Sequence, residues 1–450
     1  MKNIYIIGIG GAGTSALALL YKARGYNVRG SDEGDGFYTR ILEENNIIVY
    51  NSFDAKHIKD DIDMVVHTTA VRIENNEELQ RAQELSLPIK TYPEAVGELT
   101  KIAQTIAVCG THGKTTTTML TAHAFIAANS DPMVIVGSLV PAWKSGAYVG
   151  KGKYFIIEAD EYQNKLAFYD PFAVILTNID FDHPDFFSDN GAYEKVFVDF
   201  VRRIPKDGFL VACGDNENVC SVALAANCAV FFYGEDKMNN CRIIRREKND
   251  NGQKITVSFR DKEYIIRTQL FGAHNARNTV AAWLMSFLVT GDAQKSAQGI
   301  AKCANAARRF EKKGMLNNVI LIDDYAHHPA EIRATLYAAQ ENYPSQKIVV
   351  AFHPHTFSRT EAFLDDFADA LDLADEVIVL DIYASVRETS GTVSAQNLVA
   401  KINQKKKNKA QHIPTIEDLA VWMRENLHDD AVFLTLGAGD IWKVYDLIKK

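Results

Sequence analysis

Short blocks of consecutive apolar residues, separated by stretches of helical spacing, recur along the whole chain. Ile4-Tyr5-Ile6-Ile7 is the first. With no polar residue in alternation it reads as a strand covered on both faces, the mark of a parallel sheet. An alanine- and leucine-rich segment from Thr14 to Arg24 follows with helical period, the strand pattern returns at Asp63-Met64-Val65-Val66, and Leu87-Pro88-Ile89 closes this stretch. A second stretch begins at Ile106-Ala107-Val108, runs into a glycine turn, and continues through Phe155-Ile156-Ile157 and Ala173-Val174-Ile175-Leu176. Its end, Arg242 to Ile266, alternates like a hairpin, with Asn251-Gly252 as the turn signal. The third follows Arg308-Arg309, with strands at Val319-Ile320-Leu321-Ile322, Ile348-Val349-Val350-Ala351, Val377-Ile378-Val379-Leu380 and Val432-Phe433-Leu434. Helical spacing in the gaps predicts three α/β units built on mainly parallel sheets.

A length of 450 residues accords with that number, since domains average roughly 150 residues. Charge narrows the partners: 49 Lys+Arg against 57 Asp+Glu gives a net charge of -8, which offers no electrostatic case for nucleic acid. An anionic ligand must then be held by local groups. No apolar run approaches the roughly 18 residues of a membrane span, and the first one meets glycine too soon for a signal-peptide core, so a cytoplasmic protein without membrane attachment is expected. Cys109, Cys213, Cys220, Cys228, Cys241 and Cys303 are scattered without metal or redox spacing and read as reduced thiols. The run Lys405-Lys406-Lys407-Asn408-Lys409 reads as a solvated loop or helix end.

Two glycine turns carry the chemistry. Gly8-Ile9-Gly10-Gly11-Ala12-Gly13 fits G-x-G-x-x-G after a strand and before a helix, with Asp32 about 20 residues on. Glycines admit a diphosphate to the backbone, bare helix N–H groups bind it, and the acid accepts from ribose hydroxyls. Alone, this suits NAD, FAD or another nucleotide diphosphate. The second turn, Gly110-Thr111-His112-Gly113-Lys114-Thr115-Thr116, holds the G-K-T core of a phosphate loop, although Val108 stands where the full pattern begins with glycine. Lys114 would neutralise the β and γ oxygens and the Thr115 hydroxyl could ligate Mg²⁺. Two phosphate-binding turns, one suited to a triphosphate, are more than a dehydrogenase needs. Acids follow the next strands, in Glu158-Ala159-Asp160-Glu161 and Thr177-Asn178-Ile179-Asp180-Phe181-Asp182-His183. In this setting Glu158 is a candidate Mg²⁺ ligand, and His183 could hold a second metal.

In their order these residues resemble the Mur ligases, ATP-dependent amide-forming enzymes of peptidoglycan synthesis, and more narrowly the alanine-adding branch. The resemblance spans nearly the whole chain and includes His274-Asn275-Ala276-Arg277-Asn278, Arg308-Arg309-Phe310-Glu311, Asp323-Asp324-Tyr325-Ala326-His327-His328-Pro329, Phe352 to Thr360 and Gly437-Ala438-Gly439-Asp440. It implies a Rossmann-like first domain (residues 1–101) holding the uridine diphosphate of UDP-N-acetylmuramate at Gly8, Gly10, Gly11, Ala12 and Gly13. Asp32 would lie near the uridine, with His67, Thr68, Thr69 and Ala70 lining the same pocket. It implies a P-loop ATPase-like central domain (102–307) binding ATP and Mg²⁺ through the second turn, His274, Asn275 and Asn278. Arg309 would reach the phosphates and Asp324 the ATP ribose. A Rossmann-like third domain (308–450) would hold L-alanine through Tyr325, His327, His328, His355 and Arg359. The implied reaction phosphorylates the muramoyl carboxylate, then the amine attacks the acyl phosphate. A related possibility is a recycling ligase that joins a preformed peptide instead.

Because adjacent residues on a strand point oppositely, one of His327 and His328 is expected in the site and the other is expected to be structural. One departure stands out. Where the family pattern reads P-H-R before S-R-T, this chain has Pro354-His355-Thr356-Phe357-Ser358-Arg359-Thr360, so a cation near the amino acid's carboxylate is missing. Arg359, or His353 nearby, would have to serve.

Overall fold

The structure, a computed structural model, describes residues 2–33, 36–249, 251–384, 388, 390–428 and 430–449. The described residues form 21 strands in three sheets. The first contains β1 (Asn3–Ile7), β2 (Asn27–Ser31), β3 (Ile48–Tyr50), β4 (Met64–His67) and β5 (Ile89–Thr91), all parallel in the order β3-β2-β1-β4-β5. The order reverses between β1 and β4, so the glycine turn after β1 opens beside the end of β4, where such sheets bind ligands.

The second sheet has ten strands: β6 (Gln104–Cys109), β7 (Met133–Val140), β8 (Ser145–Val149), β9 (Tyr154–Glu158), β10 (Ala173–Leu176), β11 (Phe209–Cys213), β12 (Ala229–Gly234), β13 (Cys241–Asn249), β14 (Gly252–Phe259) and β15 (Lys262–Thr268). Their order is β15-β14-β13-β12-β11-β10-β6-β9-β7-β8. β6 lies between β9 and β10, so both acid-bearing segments leave the sheet on either side of the phosphate loop. Two local expectations change. The gap before Phe155 is not all helix, because β7 and β8 form an antiparallel hairpin there. Gly252 is the first residue of the return strand, paired with Asn249, and a third antiparallel strand, β15, follows it.

The third sheet comprises β16 (Glu311–Leu316), β17 (Val319–Asp324), β18 (Lys347–Phe352), β19 (Glu376–Val379), β20 (Ala410–His412) and β21 (Ala431–Leu436), in the order β16-β17-β21-β18-β19-β20. Only β16 is antiparallel. Apolar clusters cover both faces, one around Ile332, Leu336, Phe352 and Phe367, the other around Val349, Phe433, Leu419 and Met423. This double covering is why the strands read as unbroken apolar runs.

The chain packs as two compact units. One contains Met1–Asp180, Glu194–Gln269 and Arg277–Ala306; the other contains Phe181–Tyr193, Leu270–Ala276 and Ala307–Lys450. No described helix is long and apolar enough to cross a membrane. All six cysteines are free thiols. Lys405 ends the helix Ala395–Lys405 as the charge run suggests, but Lys409 is buried, its ammonium held by the Asp372 carboxylate and carbonyl.

Candidate functional site

The first unit carries both glycine turns. Gly8, with φ +75°, takes the left-handed turn that ends β1, and its position beside β4 leaves no room for a side chain: a Cβ there would lie 2.5 Å from Thr68 Cγ2. Gly11 caps the helix Ala12–Ala23, and Thr14 Oγ1 donates to the Gly8 carbonyl at 2.6 Å. Asp32 accepts from the Gly10 N–H at 2.7 Å, and burial raises its pKa against that bond. His67 contacts the Thr68 carbonyl through Nδ1 at 3.0 Å, and Ala70 N donates to Thr68 Oγ1 at 3.5 Å. Thus the turn, Asp32 and the His67–Ala70 segment form one cluster, and Asp32 shapes the turn directly.

The phosphate loop is held by Thr177 and Asn178, residues of the strand-end motif to which the sequence reading assigned no role. Asn178 Oδ1 accepts from His112 N at 2.8 Å while Asn178 Nδ2 and Thr177 Oγ1 donate to the His112 carbonyl. Gly113 is left-handed at φ +78° and caps the helix Lys114–Ala127. Lys114 Nζ donates to the Gly110 and Thr111 carbonyls and to Glu161 Oε2 at 2.8 Å. Burial disfavours this ammonium, but Glu161, then Asp160 and Glu158, outweigh it and keep the pKa above the ordinary lysine range. Thr115 Oγ1 donates to Glu158 Oε1 at 2.8 Å, and Gly137 N donates to Glu158 Oε2 at 2.6 Å. Thr115 and Glu158 therefore offer adjacent hard-oxygen donors, the set that Mg²⁺ prefers. Asn278 also belongs here, since a Cβ on Gly113 would lie 2.8 Å from its Oδ1.

His183, His274, Asn275, Arg309 and Asp324 belong to the other unit. His183 takes φ +56°, and its Nδ1 lies 3.5 Å from Arg359 Nη2. Asn275 donates to the Phe271 carbonyl at 2.8 Å near the start of the helix Ala273–Thr290, where His274 packs against Gly272. Arg309 lies over the Tyr325 ring at 5.0 Å. Its neighbour Arg308 is spent on structure, bonding Asp323 and the Gly437, Ala438 and Gly439 carbonyls. Asp324 accepts from the Phe310 and Ala326 N–H groups, and burial lifts its pKa to about 6 against these bonds and Arg309.

The carboxyl ends of β17, β18 and β21 gather the third set. His327 and His328 are not on a strand, as the alternation argument assumed, because β17 stops at Asp324. His328 caps the helix Pro329–Asn342, with Nδ1 accepting from Ala330 N and Nε2 3.2 Å from the Phe181 carbonyl. His327 contacts the Tyr325 carbonyl and Glu331, and burial lowers its pKa to about 4. His355 stacks on Tyr383 at 5.6 Å, and burial followed by His327 and Arg359 lowers its pKa to about 3. Arg359 is locked: its Nε and Nη2 donate to Asp182 Oδ1 at 3.0 and 2.9 Å, and both side chains are 6% exposed. Burial opposes the Asp182 charge, yet Arg359, His183, His328 and His327 hold its carboxyl far below the ordinary range. Asp182, Glu331 and Tyr383 were missed in the sequence because only the fold brings them to these partners.

Three family profiles match the chain in order: the Mur ligase family catalytic domain at residues 3–103, the Mur ligase middle domain at 108–286, and the Mur ligase glutamate ligase domain at 308–439. The UDP-N-acetylmuramate--L-alanine ligase of Clostridium botulinum (strain Kyoto / Type A2) is 35% identical over 448 residues, 99% of this chain and 97% of that protein. Among solved structures, the UDP-N-acetylmuramate-alanine ligase of Thermotoga maritima superposes with a TM-score of 0.84 at 28% identity, covering 100% of this chain and 98% of that one. A murein peptide ligase from Psychrobacter arcticus shares the fold, with a TM-score of 0.75 at 22% identity over 100% and 98% of the two chains. The ordered motifs, the three sheets and these likenesses agree, and the chain belongs to the Mur ligase family.

Proposed function

We propose that this protein is a UDP-N-acetylmuramate:L-alanine ligase of peptidoglycan precursor synthesis, using ATP and releasing ADP and phosphate. The observation that carries this reading is the phosphate loop, with Lys114 on Glu161 and Thr115 on Glu158, in the same compact unit as a cation-free glycine turn suited to a diphosphate. The identity with the Clostridium botulinum ligase over 99% of the chain supports the same substrates. We assign residues 1–101 to the sugar nucleotide, 102–307 to ATP and 308–450 to the amino acid, and expect the protein in the cytoplasm.

A carboxylate is a poor acyl donor, so the γ-phosphoryl group of ATP is transferred to the muramoyl carboxylate oxygen. The amine then attacks the carbonyl carbon of the acyl phosphate and inorganic phosphate departs. Lys114 lowers the repulsion between the two anions, exchanging Glu161 for phosphate oxygens. Thr115 and Glu158 fit Mg²⁺, and we add His183 as a ligand of a second ion; bound metal would screen phosphate charge during transfer. His274, Asn275, Asn278, Arg309 and Asp324 are the proposed contacts of the nucleotide. Tyr325, His327, His328, His355 and Arg359 are those around the amino acid. Arg359 serves by fixing Asp182 and His355, because its charge is already matched.

The test is ADP release with each substrate omitted in turn, then with a panel of alanine, serine, glycine and a preformed tripeptide. Turnover is expected only when UDP-N-acetylmuramate, ATP and L-alanine are all present. Equal ADP release without the sugar nucleotide overturns the ligase reading, and a preference for the tripeptide replaces it with the recycling ligase.

A further inference from the structure

Tyr92 is the first residue of the helix Tyr92–Lys101, which begins in a reciprocal cap: Glu94 accepts from Thr91 N at 2.7 Å, and Thr91 Oγ1 accepts from Glu94 N at 3.5 Å. Farther along, the helix is pressed onto the segment that follows the acid run, since a Cβ on Gly97 would lie 2.4 Å from the Phe168 carbonyl oxygen. Asp170 N also donates to Thr100 Oγ1 at 3.0 Å. Tyr92 is thus fixed from both sides.

Its phenol borders the end of the first glycine turn and lies within electrostatic reach of the acid run beside the second. A Cβ on Gly13, at the end of the first turn, would lie 2.7 Å from both Cζ and Oη of Tyr92. On the other side, burial and then the charges of Glu158 and Asp160 oppose ionisation of the phenol, so it remains a hydrogen-bond donor throughout the neutral range. Among the described residues the Tyr92 hydroxyl has no hydrogen-bond partner, although a half-buried phenol ordinarily finds one.

If the first turn holds the diphosphate and the acid run flanks the reacting carboxylate, the sugar that joins them must cross the space between Gly13 and Glu158. We propose that Tyr92 is a specificity-determining residue whose hydroxyl donates a hydrogen bond to the muramoyl part of the sugar nucleotide, distinguishing it from the bare nucleotide. This rests on the ligase reading above and deepens it.

Calorimetric titration of the full-length protein with UDP and with UDP-N-acetylmuramate, wild type against Tyr92→Phe, tests the assignment. Loss of one neutral hydrogen bond should weaken UDP-N-acetylmuramate about 3- to 10-fold and leave UDP within about twofold. Steady-state assays should show the same rise in KM for the sugar nucleotide with an unchanged KM for ATP. The Tm should hold, because the hydroxyl bonds none of the described residues. Unchanged affinity for UDP-N-acetylmuramate, or an equal loss for UDP, overturns the proposal. Wild-type protein that binds UDP but not UDP-N-acetylmuramate overturns the ligase reading itself, and is seen before any variant is made.

Discussion

The phosphate loop and the strand ends of the third sheet each bury one cation against one carboxylate, and they use the pair differently. Lys114 meets Glu161 through one of its three donors and gives the rest to loop carbonyls. It is a point charge whose partners can be exchanged for phosphate oxygens. Arg359 gives two donors to a single oxygen of Asp182 in near-complete burial, near His327 and His355, which burial keeps neutral at pH 7. The first arrangement is built to receive a polyanion. The second presents a nearly charge-balanced surface that does not repel an incoming amine. Parallel sheets with the same strand-end logic thus acquire opposite electrostatic characters through a few residues in their loops.

The sharpest way to break this comparison is Lys114→Ala. Removing the exchangeable charge should lower kcat by about 100- to 1000-fold, while UDP-N-acetylmuramate affinity stays within about twofold because the first turn carries no cation. A folded variant that keeps more than a tenth of its activity would show that the loop amides suffice.

The third sheet should instead reveal itself in the pH dependence of stability. His327 and His355 have folded pKa values lowered to about 4 and about 3, so on acidification the unfolded chain takes up protons first and stability falls below about pH 6.5. Asp324, raised to about 6, acts oppositely: its contribution is greatest at low pH and is lost as pH rises through about 6. Two histidines against one carboxyl leave a net loss of about 2 to 3 kcal/mol between pH 7 and pH 5. Asp182, with its depressed pKa, adds to acid sensitivity only at still lower pH. Denaturant titrations at the two pH values check this. His355→Phe, which can keep the stack on Tyr383, should remove roughly half of the histidine contribution. Equal slopes for variant and wild type would mean that His355 is not buried neutral.

This contrast also explains what the sequence could disclose. Apolar runs reported sheet interiors, and the glycine turns reported ligand ends, because both signals are local in the chain. Edge strands such as β16 and β20 lack a continuous apolar run and were missed. The pairing of Arg359 with Asp182 spans 177 positions, so the arginine looked available when it is not. His327 and His328 were taken as strand neighbours because the Asp323-Asp324 run hides the point at which β17 ends. Glu161 was visible beside Glu158, but nothing local tells which acid faces the lysine and which the threonine.

Glu158→Gln gives a milder sharpening on the loop side. The amide can accept from Gly137 N and donate to Thr115 Oγ1, so folding should survive while one anionic donor is lost. The Mg²⁺ concentration for half-maximal rate at saturating ATP should rise about tenfold, a change of about 1.4 kcal/mol. His183→Ala should raise it as well if that residue holds a second ion. Unchanged metal dependence with a raised sugar-nucleotide requirement would move Glu158 to the substrate.

The smallest expected effect is at Thr356. It stands at φ +67°, ψ 145° as the cap of the helix Phe357–Ala362, where its carbonyl accepts from Thr360 Oγ1 at 2.7 Å. That backbone conformation is unfavourable for any residue with a Cβ, and most so for a β-branched one, so arginine should be accommodated at least as well as threonine. Since Arg359 is consumed by Asp182, it is not free to bind a carboxylate at this segment. Thr356→Arg would supply one. A charge-assisted contact that is partly exposed should lower the KM for L-alanine about 3- to 10-fold, with kcat and the KM for ATP unchanged. It should also narrow the choice among alanine, serine and glycine little, because all three carry the same carboxylate. Arg359→Ala is expected to act by another route, leaving Asp182 buried without its partner and lowering the Tm along with the rate. If Thr356→Arg leaves the L-alanine requirement unchanged while Arg359→Ala raises it without any loss of stability, Arg359 holds the carboxylate itself, and the proposed contrast between a movable lysine and a locked arginine fails.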